Sequence, residues 1–91
     1  MLEDLKSFLN FTWDDPLHER RIQLNMESSI QYLNSVAGVE IDFEKDQLAR
    51  DLLFNRVLYM DAQALSDFGN NYVDLLNELK IKYEVKTEAV Q

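Results

Sequence analysis

Residues 14–39 read DDPLHERRIQLNMESSIQYLNSVAGV, and this stretch predicts one long helix with a defined start and a defined end. Proline is favoured at the first helical position and biases the preceding residue to extended backbone, so Pro16 predicts a helix capped by Asp15, with Asp14 beside it. Gly38 predicts the left-handed residue that stops a helix. Between these marks one face is apolar, because Ile22, Met26, Ile30, Leu33 and Ala37 recur at steps of three and four.

A second long helix is predicted from about Glu44 to Leu65, with Asp42 or Asp46 as its cap. One of its apolar stripes should meet the first long helix. The predicted core of this helical hairpin is Ile22, Met26, Ile30, Leu33, Leu53, Val57 and Met60. With only two glycines and one proline to punctuate the chain, the fold class predicted is all-α, built on an antiparallel pair of long helices.

The second long helix has more apolar surface than a hairpin can cover. Phe54, Leu58 and Leu65 lie roughly 100° round the axis from the first stripe. Fully burying a side chain of this kind is worth roughly 1.5–3 kcal/mol, so leaving several exposed would be conspicuous. Two interpretations stay open and are compatible: short flanking helices complete the core, or these residues form a subunit interface.

Shorter elements flank the hairpin. A first helix is predicted at about Leu2 to Asn10, a turn stopped by Gly69 at residues 66–71, and a helix at Tyr72 to Leu79. From Lys80 the period changes to two, because Ile81, Tyr83 and Val85 alternate with charged residues. This predicts a lone strand, either frayed or paired with another chain. The domain prediction is therefore a helical unit at 1–79 and an extended tail at 80–91 that orders on assembly.

The chain is acidic, with seventeen Asp and Glu against nine Lys and Arg and a net charge of −8. Such a balance argues against a clamp on nucleic-acid phosphates. It predicts either an ordinary solubilising surface or a wall that faces DNA without gripping it. There is no cysteine, which excludes disulfides and thiolate metal sites. No apolar run approaches the roughly 20 residues of a membrane span, and no export leader is evident.

Residues for catalysis are scarce. His18 is the only histidine, and neither a metal-ligand spacing nor a nucleophile lies near it in sequence. The pair Asp14-Asp15 has the chemistry to bind a cation, but capping explains it more simply. Trp13 is expected to pack over the junction before the long helix, with ligand stacking as the alternative. We therefore expect no enzyme activity, no metal and no cofactor.

The order of features resembles a known family. Leu5-Lys6-x-x-Leu9, the acidic Asp14-Asp15, Tyr32-Leu33 and Gly38-Val39 precede a second long apolar helix and the segment from Phe68-Gly69 to Leu79. Over about residues 2–80 this pattern resembles the small head–tail connector (adaptor, head completion) proteins of long-tailed bacteriophages. Two departures concern packing. Ser28 and Ser29 stand where the family usually has alanines, and an aromatic link at residues 11–13 replaces a short polar one.

The resemblance implies a structural virion protein, made in the cytoplasm of the host bacterium and located at the head–tail interface. It implies a ring, commonly of twelve copies, that sits below the portal, extends the DNA channel and mounts the stopper or tail-completion protein. Double-stranded DNA would pass through without specific binding. Ile81, Tyr83 and Val85 would contact the portal or a neighbouring subunit. The rival interpretation is a small acidic binding protein, such as an inhibitor that imitates DNA; an acidic enzyme subunit would have to borrow every reactive group.

Overall fold

A computed structural model describes residues 2–9 and 15–90, with side chains described through Glu84. All regular structure in these ranges is helical, which confirms the all-α class. The five helices described are α1 (Leu2–Phe8), α2 (Pro16–Ala37), α3 (Gln47–Asp61), α4 (Leu65–Asn71) and α5 (Val73–Val90). The molecule measures 49 × 25 × 16 Å along its principal axes, so it is a flat, elongated body.

The ends of α2 lie where the sequence predicts them. Asp15 has extended backbone angles (φ −127°, ψ 98°), and its carboxylate accepts hydrogen bonds from the backbone N–H groups of Leu17 and His18 at 3.1 and 3.2 Å. Pro16 is the first helical residue. Gly38 has a φ of 75° and donates its N–H to the Asn34 carbonyl at 2.8 Å. These bonds satisfy groups that a helix end otherwise leaves free; Asp14 lies outside the described residues.

The second long helix, α3, is shorter than predicted. Asp46 is its N-cap and accepts from the Ala49 N–H at 3.0 Å, while Asp42 closes the turn before it by accepting from the Glu44 N–H. The helix ends at Asp61. Gln63 then has a φ of 58°, a backbone angle that residues other than glycine rarely adopt. This residue turns the chain between α3 and α4.

Two predictions for the second half of the chain are wrong. Residues 66–71 are not a turn stopped by Gly69, because Gly69 lies inside α4. Residues 80–90 are not a strand, because α5 continues through them without interruption. A lone strand would leave its backbone groups unpaired, whereas a helix satisfies them internally. The proposed domain boundary at 79/80 therefore falls inside a helix.

The core surrounds α3. Every helix contributes to it, and so does Phe43 from the α2–α3 loop; the buried cluster is Leu5, Ile22, Leu33, Phe43, Ala49, Leu52, Leu53, Phe54, Val57, Phe68, Leu76 and Leu79. Of the predicted hairpin core, Ile22, Leu33, Leu53 and Val57 are fully buried. Met26 and Ile30 are half-buried against this cluster, and Met60 is also half-buried. The short helices α1 and α4 thus cover faces of α3 that α2 leaves open.

Candidate functional site

The candidate interface of α3 is partly used inside the molecule. Phe54 is only 8% exposed, and its ring packs on that of Phe8 with centroids 5.7 Å apart. The prediction that Phe54 faces another subunit is therefore wrong, because α1 covers it. Leu58 and Leu65 remain 39% and 40% exposed. They lie on either side of the break at Gln63, at the end of α3 and the start of α4.

Further apolar side chains are exposed on α2 and α5, and sequence reasoning missed most of them. Leu17 is 83% exposed and Leu24 49% exposed. Their spacing of seven residues places them on one face of α2, away from the buried Ile22 and Leu33. This spacing in the sequence could have predicted a second apolar face of α2. On α5, Val73 and Ile81 are 49% and 58% exposed.

Tyr83, predicted to contact the portal or a neighbouring subunit, makes a contact within the chain, here called the latch. The Tyr83 hydroxyl donates a hydrogen bond to the Asp46 carboxylate, and Lys82 Nζ lies 3.0 Å from the same oxygen. This contact ties α5 to the cap of α3. Of the other two residues predicted to contact the portal or a neighbouring subunit, Ile81 is exposed, and Val85 lies in α5 with a side chain outside the described set.

The latch shifts two pKa values. Burial disfavours the charged form of Asp46, but hydrogen bonds from Tyr83, the Ala49 N–H and Lys82 outweigh it, so the pKa of this carboxyl is lowered. Burial and the bond to the Asp46 carboxylate raise the pKa of Tyr83 to about 12. The two shifts describe one interaction between a neutral phenol and an ionised carboxylate. Around it lies a polar cleft lined by Glu40, Asp42, Lys45, Asp46, Lys82 and Tyr83.

Other ion pairs connect the helices. Lys6 of α1 is 2% exposed and lies 3.1 Å from Glu19 of α2. His18 Nε2 lies 3.0 Å from Asp61, which also accepts from Arg21 at 3.4 Å. These contacts tie α1 to the start of α2 and the start of α2 to the end of α3. These ion pairs therefore have a structural role in holding the helices together.

Arg56 is the buried cation that the sequence did not single out. It is 9% exposed, and its Nη1 donates to Ser29 Oγ at 2.9 Å and to Met60 Sδ at 3.2 Å. Its guanidinium carbon lies 4.4 Å from the centre of the Tyr32 ring, a cation–π distance. Burial lowers the pKa of this arginine, although the neighbouring Tyr32 opposes the shift. The sequence alone does not show whether an arginine within an apolar helix is buried or exposed.

Comparison with protein families, with curated proteins and with solved structures finds no match to this chain. Across residues 2–9 and 15–90, no helix combines the length and the apolar character that a membrane crossing requires. The described side chains also form no group of three or more His, Cys, Asp or Glu residues that could hold a metal ion. The candidate site that remains is the set of exposed apolar side chains on the outer faces of the helices.

Proposed function

We propose that this chain is a non-enzymatic structural protein of a phage virion, a head–tail connector that forms a ring below the portal. The observation that carries the proposal is apolar side chains left outside a fold that already has a complete core. Leu58 and Leu65 stay about 40% exposed after α1, α4 and α5 have covered α3. A monomer gains nothing from this exposure, whereas a subunit of a ring buries it against its neighbour.

In this proposal α2 and α3 are the antiparallel pair that forms the body of each subunit. The order of their contacts supports it. His18, in the first turn of α2, contacts Asp61 at the last residue of α3, while Tyr32 near the other end of α2 contacts Arg56 further back in α3. The flat shape of the molecule also suits subunits that stand side by side.

The charge of the chain supports a passive role towards DNA. A net charge of −8 repels phosphates, and so a channel wall of this composition lets the duplex slide without holding it. The ring then extends the portal channel and presents its far side to the stopper or tail-completion protein. Ring assembly of this kind requires no cofactor. The protein would be made in the host cytoplasm and reside at the head–tail interface of the virion.

The proposal is tested by sedimentation of the chain with the purified portal protein of the same phage. We expect co-sedimentation of the wild-type chain and its loss in the double variant Leu58→Glu/Leu65→Glu. Because both leucines are exposed, this variant should keep its helical circular dichroism. Ser7→Glu/Asn70→Glu is the matched control, since it adds the same two charges at exposed polar positions. Failure of the wild-type chain to bind the portal would contradict the proposal.

The acidic composition also favours a second candidate, an inhibitor that imitates DNA charge. Such a protein stays small and displaces duplex from a basic DNA-binding protein, and it has no use for exposed Leu58 and Leu65. Displacement of duplex at low salt, without portal binding, would select this candidate.

A further inference from the structure

Among the residues that the structure describes, Arg56 has no acidic partner. The described ion pairs join Lys6 to Glu19, His18 and Arg21 to Asp61, and Lys82 to Asp46, and none of them includes Arg56. Among the described residues only its Nη1 donates hydrogen bonds. A buried charge without an opposite charge is costly, so the position calls for an explanation.

The guanidinium packs against a partly exposed ring. The Tyr32 ring against which it packs is 39% exposed, and Arg56 itself retains 9% of its surface. A planar guanidinium fixed by Ser29 and Tyr32 is already oriented, so little side-chain entropy remains to be lost when it binds a carboxylate. Its Nε and Nη2 groups donate to no described residue, and a guanidinium offers a carboxylate a fork of such N–H groups for bidentate binding.

The half of α2 that contacts Arg56 has no charged side chain. Residues 28–39 contain no charged residue, although 29% of the chain is charged. On this half of α2, Ser28, Tyr32 and Ser35 are exposed. The centres of protein interfaces are depleted of charge, and Tyr and Arg are enriched there among the few residues that dominate the binding energy.

A complementary surface lies on α5. Asp74 and Glu78 are exposed, one helical turn apart, and the exposed apolar side chains of Leu75 and Ile81 lie beside them. Neither carboxylate forms an ion pair with any described residue. One face of the chain thus offers a cation beside an uncharged half of α2, and another offers two carboxylates beside apolar side chains.

We propose that Arg56 and Tyr32 dock on the carboxylates of Asp74 and Glu78 of a second copy of this chain. A contact between two different faces repeats from copy to copy and closes into a ring when the rotation permits. The inference rests on the proposed function and deepens it, since it names a polar contact between neighbouring subunits in addition to the burial of Leu58 and Leu65. It explains how copies that each have a net charge of −8 associate despite their mutual repulsion.

The first test places a carboxylate in the docking surface. Ser28 is exposed and one turn from Tyr32, so Ser28→Glu offers Arg56 a carboxylate of its own and repels the incoming one. Ser28→Gln is the matched control of nearly equal size. In sedimentation velocity over a concentration series, we expect Ser28→Glu to raise the dissociation constant for self-association about tenfold or more, and Ser28→Gln to change it less than about twofold. Equal association of the two variants would overturn the inference, as would a wild-type chain that stays monomeric throughout.

The second test removes the carboxylates. Asp74→Asn/Glu78→Gln should weaken self-association, whereas Glu3→Gln/Asp4→Asn changes the net charge equally at exposed acids of α1. If only general repulsion governed association, both pairs would strengthen it, because each reduces the magnitude of the net charge, from −8 to −6. A strengthening by Asp74→Asn/Glu78→Gln would therefore contradict the proposed contact.

Portal binding, measured in parallel, separates this inference from the proposed function. If Ser28→Glu assembles on the portal as fully as Ser28→Gln, the subunit contact is wrong and the connector function stands. If the wild-type chain self-associates through Arg56 but ignores the portal, the contact stands and the connector function is wrong.

Discussion

Gly38 and Gly69 have different roles, and the difference can be measured. Gly38 has a φ of 75°, whereas Gly69 lies inside α4, and an added Cβ meets nothing within 4 Å at either position. Only the backbone conformation therefore distinguishes them. We expect Gly38→Ala to lower the free energy of unfolding by about 1–2 kcal/mol, because alanine is strained in the left-handed region. Gly69→Ala is the matched control and should raise it by about 0.4–1 kcal/mol. Urea denaturation of the two variants checks both signs; equal effects would contradict the assigned helix ends.

The bond between Tyr83 and Asp46 predicts an alkaline transition. The pKa of Tyr83 is raised from 10.0 to about 12 in the folded chain, so folding favours the protonated phenol. The stabilisation is complete below pH 10 and is lost as the pH rises towards 12. Tyr83→Phe should lower the free energy of unfolding at neutral pH by about 1 kcal/mol. The difference between wild type and Tyr83→Phe, followed by denaturation from pH 7 to 12, should shrink above pH 10. A difference that stays constant across this range would refute the bond.

At the level of single residues, the sequence predicted what depends on local chemistry. The cap at Asp15 and the stop at Gly38 are recognisable because Pro16 and a glycine announce them. The end of α3 is not, because the left-handed residue there is Gln63, a type that carries no such signal. Misplacing that break moved the expected turn to Gly69.

At the scale of helices, α5 shows how two periodicities can share the same residues. Ile81, Tyr83 and Val85 alternate, which favours a strand, but Leu76, Leu79 and Tyr83 recur at steps of three and four, which favours a helix. Leu76 and Leu79 are buried in the core and Tyr83 packs against it, so burial selects the helix. The alternation of residues 81–85 could not reveal the packing of Tyr83, because its hydrogen-bond partner, Asp46, lies 37 residues away in the sequence.

The latch makes the length of α5 matter for stability. A chain that ends at Leu79 loses Lys82 and Tyr83 and leaves the largely buried Asp46 carboxylate without either partner. We expect a clear fall in melting temperature, on the order of several degrees, for a loss of about 1–2 kcal/mol in a domain of this size. A chain that ends at Glu84 retains both contacts and is the control. Thermal unfolding followed by circular dichroism decides, and equal melting temperatures of the two truncated chains would show that the latch adds no stability.

At the scale of the whole molecule, α3 has one face in the core and another at the surface, and two substitutions test which residue lies on which face. Phe54→Glu places a charge in the core beneath Phe8 and should unfold the chain or destabilise it by several kcal/mol. Leu58→Glu, four residues further on, should leave the fold intact because Leu58 is 39% exposed. Denaturation curves of the two variants compare them directly. A Phe54→Glu chain as stable as the wild type would show that Phe54 is exposed and not part of the core.

The candidate site was only partly readable in the sequence. Surplus apolar surface on the second long helix was evident from its stripes, but which stripe stays exposed depends on where α1 packs. Phe54 and Leu58 look equivalent in sequence, but Phe54 packs against the Phe8 ring and the buried cluster, whereas Leu58 stays 39% exposed. Arg56 was invisible for the same reason, since its burial results from Ser29 and Tyr32 of another helix.

Electron cryomicroscopy of the chain mixed with a purified phage portal protein is the decisive test of the proposed ring. We expect a ring of helical subunits at the DNA-exit end of the portal, continuous with its channel, with Leu58 and Leu65 inside the subunit contacts. Portal particles that remain bare in the presence of excess folded chain would contradict the proposed connector function.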